Sequence, residues 1–264
     1  MMDVKTVILC GGFGTRIRGV DDNLPKAMIP IGEYPILWHI LKLYAHYGLK
    51  DFVLCLGYKS WAIKEYFLNY KSYSSDFTVR LGQDASVQFH GATAEDWSVT
   101  MAETGLSTQT GGRIWSARRY LQESPLFCVT YGDGVADIDL TTLVNFHLAH
   151  GRIGTVTGVR PPGRFGVMDI EVQDNVQVVR QFQEKPQTSG GWINGGFFVF
   201  DQRLWSYLND NPDLIFEHEP LRDLAKDGEL VMYRHEGFWQ PMDTYREWQL
   251  LNKLWTTNQA SWKR

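Results

Sequence analysis

The sequence predicts an α/β fold built on a mostly parallel, Rossmann-like sheet flanked by helices. Three observations predict it. Short apolar runs end in glycine at Thr6 to Cys10, Asp51 to Gly57 and Leu126 to Gly134. Such runs suit strands buried on both faces. Segments with helical periodicity separate them, and the joints are short. The chain has 264 residues, enough for one domain with a substantial core.

Each element follows from local pattern. TVILC opens the sheet. Pro35 then precedes ILWHILKLYAHYG, where Leu37, Leu41, Tyr44 and Gly48 mark a period near 3.6. Proline in the first turn and glycine past the last are helix boundaries. DFVLCLG gives a second strand and AIKEYFLNY a second helix. Between about residues 72 and 104 the pattern changes. DFTVRLG, SVQFHG and WSVTMAET alternate polar and apolar, as half-exposed antiparallel strands do. A small β insertion is expected there, either a plain meander or a subunit contact. LFCVTYGDG is the third buried strand, and a helix is expected over Leu140 to His150. Strands GTVTGV, GVMDIEV, VQVVRQF, GGFFVF and LVMYRHEG follow, then a C-terminal helix near 245–257. One domain spanning 1–264 is expected.

Charge and cysteine usage limit the function. Lys and Arg number 26 against 30 Asp and Glu, a net charge of −4, which argues against a nucleic-acid binder working through a general basic surface. Cys10, Cys55 and Cys128 are widely spaced within apolar runs, as expected of free thiols in a reducing cytoplasm. The N-terminal segment does not read as a signal peptide, and no apolar run approaches a membrane span. A soluble cytoplasmic protein is expected.

The first strand ends in CGGFGTR. Gly11, Gly12 and Gly14 let backbone N–H groups approach a phosphate or a base. No Gly-Lys-Ser/Thr follows, so this is no Walker A loop, and Ile17 stands where a dinucleotide fingerprint needs its third glycine. Arg16 and Lys26 add two cations suited to a triphosphate. From spacing alone, a tight turn with two solvated cations is an equal reading. Asp133 and Asp243 end TYGD and QPMD, 110 residues apart, so only a fold brings them together. Asp137 and Asp139 stand where a helix start is expected, and read as caps.

GGFGTR, PKAMIPIG and PILWHILK resemble the signature region of the sugar-1-phosphate nucleotidyltransferases. DFVLCLGYK, IKEYF, TGGR, TYGDGVAD, PPGRFGV, QEKP, NGGFFV and GFWQPMDT continue that resemblance in order over essentially the whole chain. It implies the nucleotide-diphospho-sugar transferase fold. The phrases are most similar to members that join CTP to α-D-glucose 1-phosphate with Mg²⁺, releasing pyrophosphate. Catalytic roles are then implied for Arg16, Lys26, Asp133 and Asp243, with Asp133 and Asp243 holding the metal. Nucleotide contacts are implied at Leu9, Gly11, Gly12, Gly14, Thr15, Arg16, Lys26, Thr108, Gly112, Arg113 and Gly132. Thr108 and Arg113, with backbone amides around Gly111 and Gly112, would read the cytosine. Tyr131, Gly166, Glu184, Lys185 and Asn194 would form the sugar-phosphate pocket. The resemblance also implies a homo-oligomer and no nucleic-acid or membrane partner. Phe13 and Ala27 depart from the usual Leu and Pro, and the loop IRGVDDNL also differs, which leaves UTP, dTTP or another sugar phosphate open. A non-catalytic regulatory subunit of the same fold would tend to lose the phosphate-binding cations or the metal carboxylates, and this chain keeps both. A carbohydrate-binding module would suit the 14% aromatic content but leaves the glycine turn and its two cations unexplained.

Overall fold

A computed structural model describes residues 4–14, 23–91, 95–160, 167–173, 176–183 and 191–264. The first half contains β1 (Lys5–Leu9), the short strands β2 (Pro30–Ile31) and β3 (Tyr34–Pro35), α1 (Ile36–His46), β4 (Asp51–Leu56), α2 (Ser60–Leu68), α3 (Tyr70–Ser74), β5 (Asp76–Arg80), β6 (Ser86–His90) and β7 (Ser98–Glu103). Next come α4 (Thr110–Ala117), β8 (Leu126–Tyr131), β9 (Gly134–Ala136), α5 (Leu140–His150) and β10 (Gly154–Val159). The last part holds β11 (Val167–Gln173), β12 (Val176–Gln183), β13 (Ile193–Asn194), β14 (Phe198–Asp201), α6 (Glu219–Lys226), β15 (Leu230–His235), β16 (Trp239–Pro241) and α7 (Tyr245–Thr256).

The main sheet runs β15–β10–β14–β8–β1–β4–β7, with β13 continuing the β14 side of β10. β1 lies parallel to both β4 and β8, β4 is parallel to β7, and β10 is parallel to β15. β14 runs antiparallel between β8 and β10, and the short β13 is also antiparallel to β10, so two reversed strands interrupt an otherwise parallel sheet. Alternation along the strands builds a core on each face. Ile8, Leu54 and Cys128 pack with Ile40 and Tyr44 of α1 and Leu251 of α7. Val7, Val53 and Val129 pack with Ile114 and Ala117 of α4. This is the predicted α/β architecture.

The insertion differs from its expectation in one strand. β5 and β6 do pair as a separate antiparallel hairpin. WSVTMAET, however, supplies β7, which joins the main sheet parallel to β4. Its polar–apolar alternation comes from its place at the sheet edge, where only Ala102 is fully covered. Cys10, Cys55 and Cys128 are free and buried as expected. Burial pushes the Cys55 and Cys128 thiols up to about 12, and Cys10 upward as well. Among the described residues no helix is long and apolar enough to cross a membrane.

Candidate active site

Open parallel sheets bind ligands where successive strands turn to opposite sides, beyond their carboxyl ends. Here that point lies between β1 and β8. The chain winds from β1 outward through β4 to β7, then returns to the other side of β1 with β8. A cleft of about 440 Å³ opens there, lined by Leu9, Cys10, Gly12, Gly14, Lys26, Ala27, Thr110, Gly132, Asp133 and Asp243. Gly132 brings the two strand ends together. Its N–H donates to Leu9 O (3.1 Å), and a Cβ there would stand 2.9 Å from that same oxygen.

Backbone pairing joins the distant aspartates. Asp133 immediately precedes β9, and Asp243 follows β16 by two residues. β9 and β16 form an antiparallel ribbon with Gly134 opposite Pro241, and Met242 N–H donates to Asp133 O at 2.8 Å. A capping box fixes Asp243 further. Glu247 of α7 accepts from Asp243 N–H and Thr244 N–H, both at 2.8 Å, while the Thr244 hydroxyl accepts from Glu247 N–H. The spacing Thr244-Tyr-Arg-Glu247 carries that signal in the sequence, although the motif around Asp243 does not by itself single out Glu247.

Lys26 starts a short 3₁₀ turn (Lys26–Met28), anchored by buried Ala27 and Met28. Its ammonium donates to Asp133 Oδ2 at 2.6 Å and also to Asp243 Oδ1. Burial by itself pulls the Lys26 ammonium down, but the two carboxylates outweigh it and hold the ammonium above its ordinary value. The carboxylates stay 32% and 33% exposed, so their free oxygens remain open to the cleft. Two carboxylates already converging on one cation fit a Mg²⁺, which takes one or two protein carboxylates and completes its shell with water and phosphate oxygens. Among the described residues no third acid or histidine joins them, so most of such a shell falls to ligand and water.

Arg113 lies behind the glycine turn and is 4% exposed. Its guanidinium donates to Leu56 O, Thr104 Oγ1, Gly105 O, Gly11 O and Leu106 O, at 2.7–3.3 Å. Burial lowers its pKa from the ordinary arginine value. A Cβ on Gly11 would lie 2.2 Å from this guanidinium, so glycine makes the contact possible. Arg113 therefore pins the first glycine of the turn to the ends of β4 and β7. The amides of Gly111 and Gly112, expected to read a base edge, instead both donate to Leu214 O (2.9 and 3.2 Å). Gly112 packs against Thr108, Asn211 and Pro212 and does not line the cleft. Gln109 stands at the N-cap of α4 with no side-chain cap bond, and its N–H donates to Pro212 O at 2.7 Å. Asp139 does cap α5, accepting from Thr142 N–H, whereas Asp137 caps no helix and its Oδ1 lies 3.1 Å from His235 Nε2.

Beside the cleft, Tyr131 and Asn194 come together. Asn194 Nδ2 donates to the Tyr131 hydroxyl at 3.2 Å, and Asn194 Oδ1 accepts from Gly196 N–H. Two residues that the sequence does not single out complete the cluster. Glu217 accepts from Tyr131 (2.5 Å) and from the Thr110 hydroxyl (2.6 Å), and Thr110 Oγ1 accepts from Phe216 N–H (2.9 Å). Thr110 and Glu217 lie 107 residues apart, and no local pattern in the sequence links them. Thr15, Arg16, Gly166, Glu184 and Lys185 lie outside the described residues.

A nucleotidyl transferase family profile matches residues 5–242. The chain is 46% identical over 260 residues to the glucose-1-phosphate cytidylyltransferases of Salmonella typhi and Salmonella typhimurium, spanning 98% of this chain and 99% of each relative. Its fold is similar to HddC from Yersinia pseudotuberculosis, with a TM-score of 0.69 and 21% identity over 96% of this chain and 99% of that one. The chain belongs to the nucleotidyl transferase family.

Proposed function

We propose that this nucleotidyl transferase makes CDP-glucose and pyrophosphate from CTP and α-D-glucose 1-phosphate. The observation that carries the reading is the Lys26–Asp133–Asp243 cluster at the strand switch point, in a chain so similar to glucose-1-phosphate cytidylyltransferases. A phosphate oxygen of the sugar phosphate attacks the α-phosphorus in line. The bond from that phosphorus to the bridging oxygen breaks, and pyrophosphate leaves with the electron pair. The nucleophile is already anionic, so no side-chain base is required. Catalysis is positioning and charge neutralisation.

Lys26 lies in the cleft wall and neutralises the triphosphate, turning from the carboxylates as the nucleotide enters. Asp133 and Asp243 hold a divalent ion, Mg²⁺ on this reading. When bound, it supplies positive charge to the phosphate oxygens of both substrates. Arg16 and Thr15 follow the glycine turn and are assigned to the triphosphate by the family resemblance, as Glu184, Lys185 and Gly166 are to the sugar phosphate. Leu9, Gly12, Gly14 and Gly132 line the nucleotide side. Arg113 supports that side by fixing Gly11, and Thr108 belongs to the base side. Three buried, unpaired thiols support a cytoplasmic setting. Phe77, Val79, Leu81 and Val87, exposed on and beside the β5–β6 hairpin, support a homo-oligomer.

The test is pyrophosphate release by the purified protein with Mg²⁺ and α-D-glucose 1-phosphate, supplying CTP, UTP, dTTP, ATP or GTP separately. Release with CTP is the expected result. Release with another nucleotide instead overturns the base assignment and keeps the chemistry. No release with any nucleotide, from folded protein, overturns the reading.

A further inference from the structure

We propose that Glu217 sets the base selectivity of the cleft by forcing the Thr110 hydroxyl to act only as an acceptor. The inference rests on CTP being the nucleotide. An ionised carboxylate accepts hydrogen bonds and donates none. Both Glu217 oxygens are engaged, Oε2 by the Thr110 hydroxyl and Oε1 by Tyr131. A threonine hydroxyl has one proton and two lone pairs. On Thr110 the proton goes to Glu217, and one lone pair takes the Phe216 N–H. Thr110 lines the cleft, and its hydroxyl can offer a ligand there only its second lone pair.

Three neighbouring amides are also withdrawn. The α4 N-terminal amides would normally be ready donors at a ligand site. Gln109 N–H goes to Pro212 O, and Gly111 N–H and Gly112 N–H both go to Leu214 O. Burial, then the Glu217 charge, raises the Tyr131 phenol well above its ordinary value, so it stays protonated and donates to Glu217. Arg113 donates to five protein oxygens behind the wall. What remains of the Thr110 hydroxyl is an acceptor, in the segment expected to meet the base.

Pyrimidines differ at this point of chemistry. The 4-position of cytosine carries an amine, which donates, whereas uracil and thymine carry a carbonyl, which accepts. An acceptor-only hydroxyl pairs with the first and opposes the second. Selectivity then comes from leaving the wrong base unpaired as much as from binding the right one. Glu217 reaches the base through Thr110, so it is a positioning residue.

The test compares kcat/KM for CTP and UTP at saturating glucose 1-phosphate and Mg²⁺, in the wild type, Glu217→Gln and Thr110→Val. A glutamine can turn its amide toward Thr110, freeing the hydroxyl proton for a carbonyl. We expect the CTP-over-UTP ratio to fall by at least about tenfold in Glu217→Gln, largely through the nucleotide KM. Thr110→Val removes the acceptor and also lowers the ratio, through loss of CTP use. It carries the test alone if the glutamine variant fails to fold. A variant that slows both nucleotides equally, with the ratio unchanged, assigns Glu217 a structural role and overturns the inference. A wild type without preference for CTP overturns the functional reading itself.

Discussion

The two ends of the cleft are held together in different ways. At the phosphate end, one ammonium bridges two carboxylates, and each carboxylate is set by backbone pairing through the β9–β16 ribbon. At the Tyr131 end, side chains set one another through a chain of hydrogen bonds from Asn194 through Tyr131 and Glu217 to Thr110. The difference teaches where precision resides. Charge can be positioned by main-chain geometry and short contiguous phrases, while donor and acceptor polarity here depends on a loop preceding α6. On the proposed function, the first arrangement should concentrate its effect on turnover and the second on discrimination.

The largest break in that comparison is Lys26→Met. Removing a preorganised cation from the phosphate site should lower kcat by about 10³-fold, with the circular dichroism spectrum unchanged. Steady-state assays of the two substrates check it, and near-normal kcat would remove Lys26 from the chemistry. Gly132→Ala comes next. Its methyl group meets Leu9 O at 2.9 Å and the Cys10 sulfur at 3.0 Å, so the ends of β1 and β8 must part. We expect a loss of about 1–3 kcal/mol in stability and a fall in kcat, measured by urea unfolding and initial rates.

At the other end the effects should be smaller and of another kind. Tyr131→Phe leaves Glu217 without one donor and Asn194 without its acceptor. We expect the KM for the sugar phosphate to rise about tenfold while kcat changes little. An equal loss in kcat would erase the distinction between the two ends.

The smallest effect concerns the scaffold below the phosphate end. His39 contacts Ile31 O (2.9 Å) beside the Trp255 ring of α7, the helix that follows Asp243. Burial depresses both His39 and His147 to about 4. Their neutral forms therefore favour the fold above pH 6.5, and this contribution is lost as pH falls toward and through 4. Stability should decline across that window, and His39→Gln should flatten the decline. Thermal melts at half-unit pH steps check it.

Much of the fold and the phosphate end is legible in the sequence. Buried strands show as apolar runs, and Lys26, Asp133 and Asp243 stand in long specific phrases. β7 reads as part of the insertion because an edge strand shows one-sided burial whichever sheet it joins. The amides of Gly111 and Gly112 read as base contacts because local pattern cannot reveal that Leu214 O lies across them. Glu247 is findable as the acid of a capping box. Glu217 is not, because its partners Tyr131 and Thr110 lie 86 and 107 residues away and are joined to it only by the fold.

The central claim is that Asp133 and Asp243 form one metal-binding pair at the phosphate end. The most direct measurement is Mn²⁺ binding, followed by electron paramagnetic resonance in the presence of CTP, in the wild type and Asp243→Asn. The account predicts one tightly bound Mn²⁺ per chain in the wild type and at least about a tenfold loss of affinity in the variant. Undiminished Mn²⁺ binding by a folded Asp243→Asn protein would contradict it.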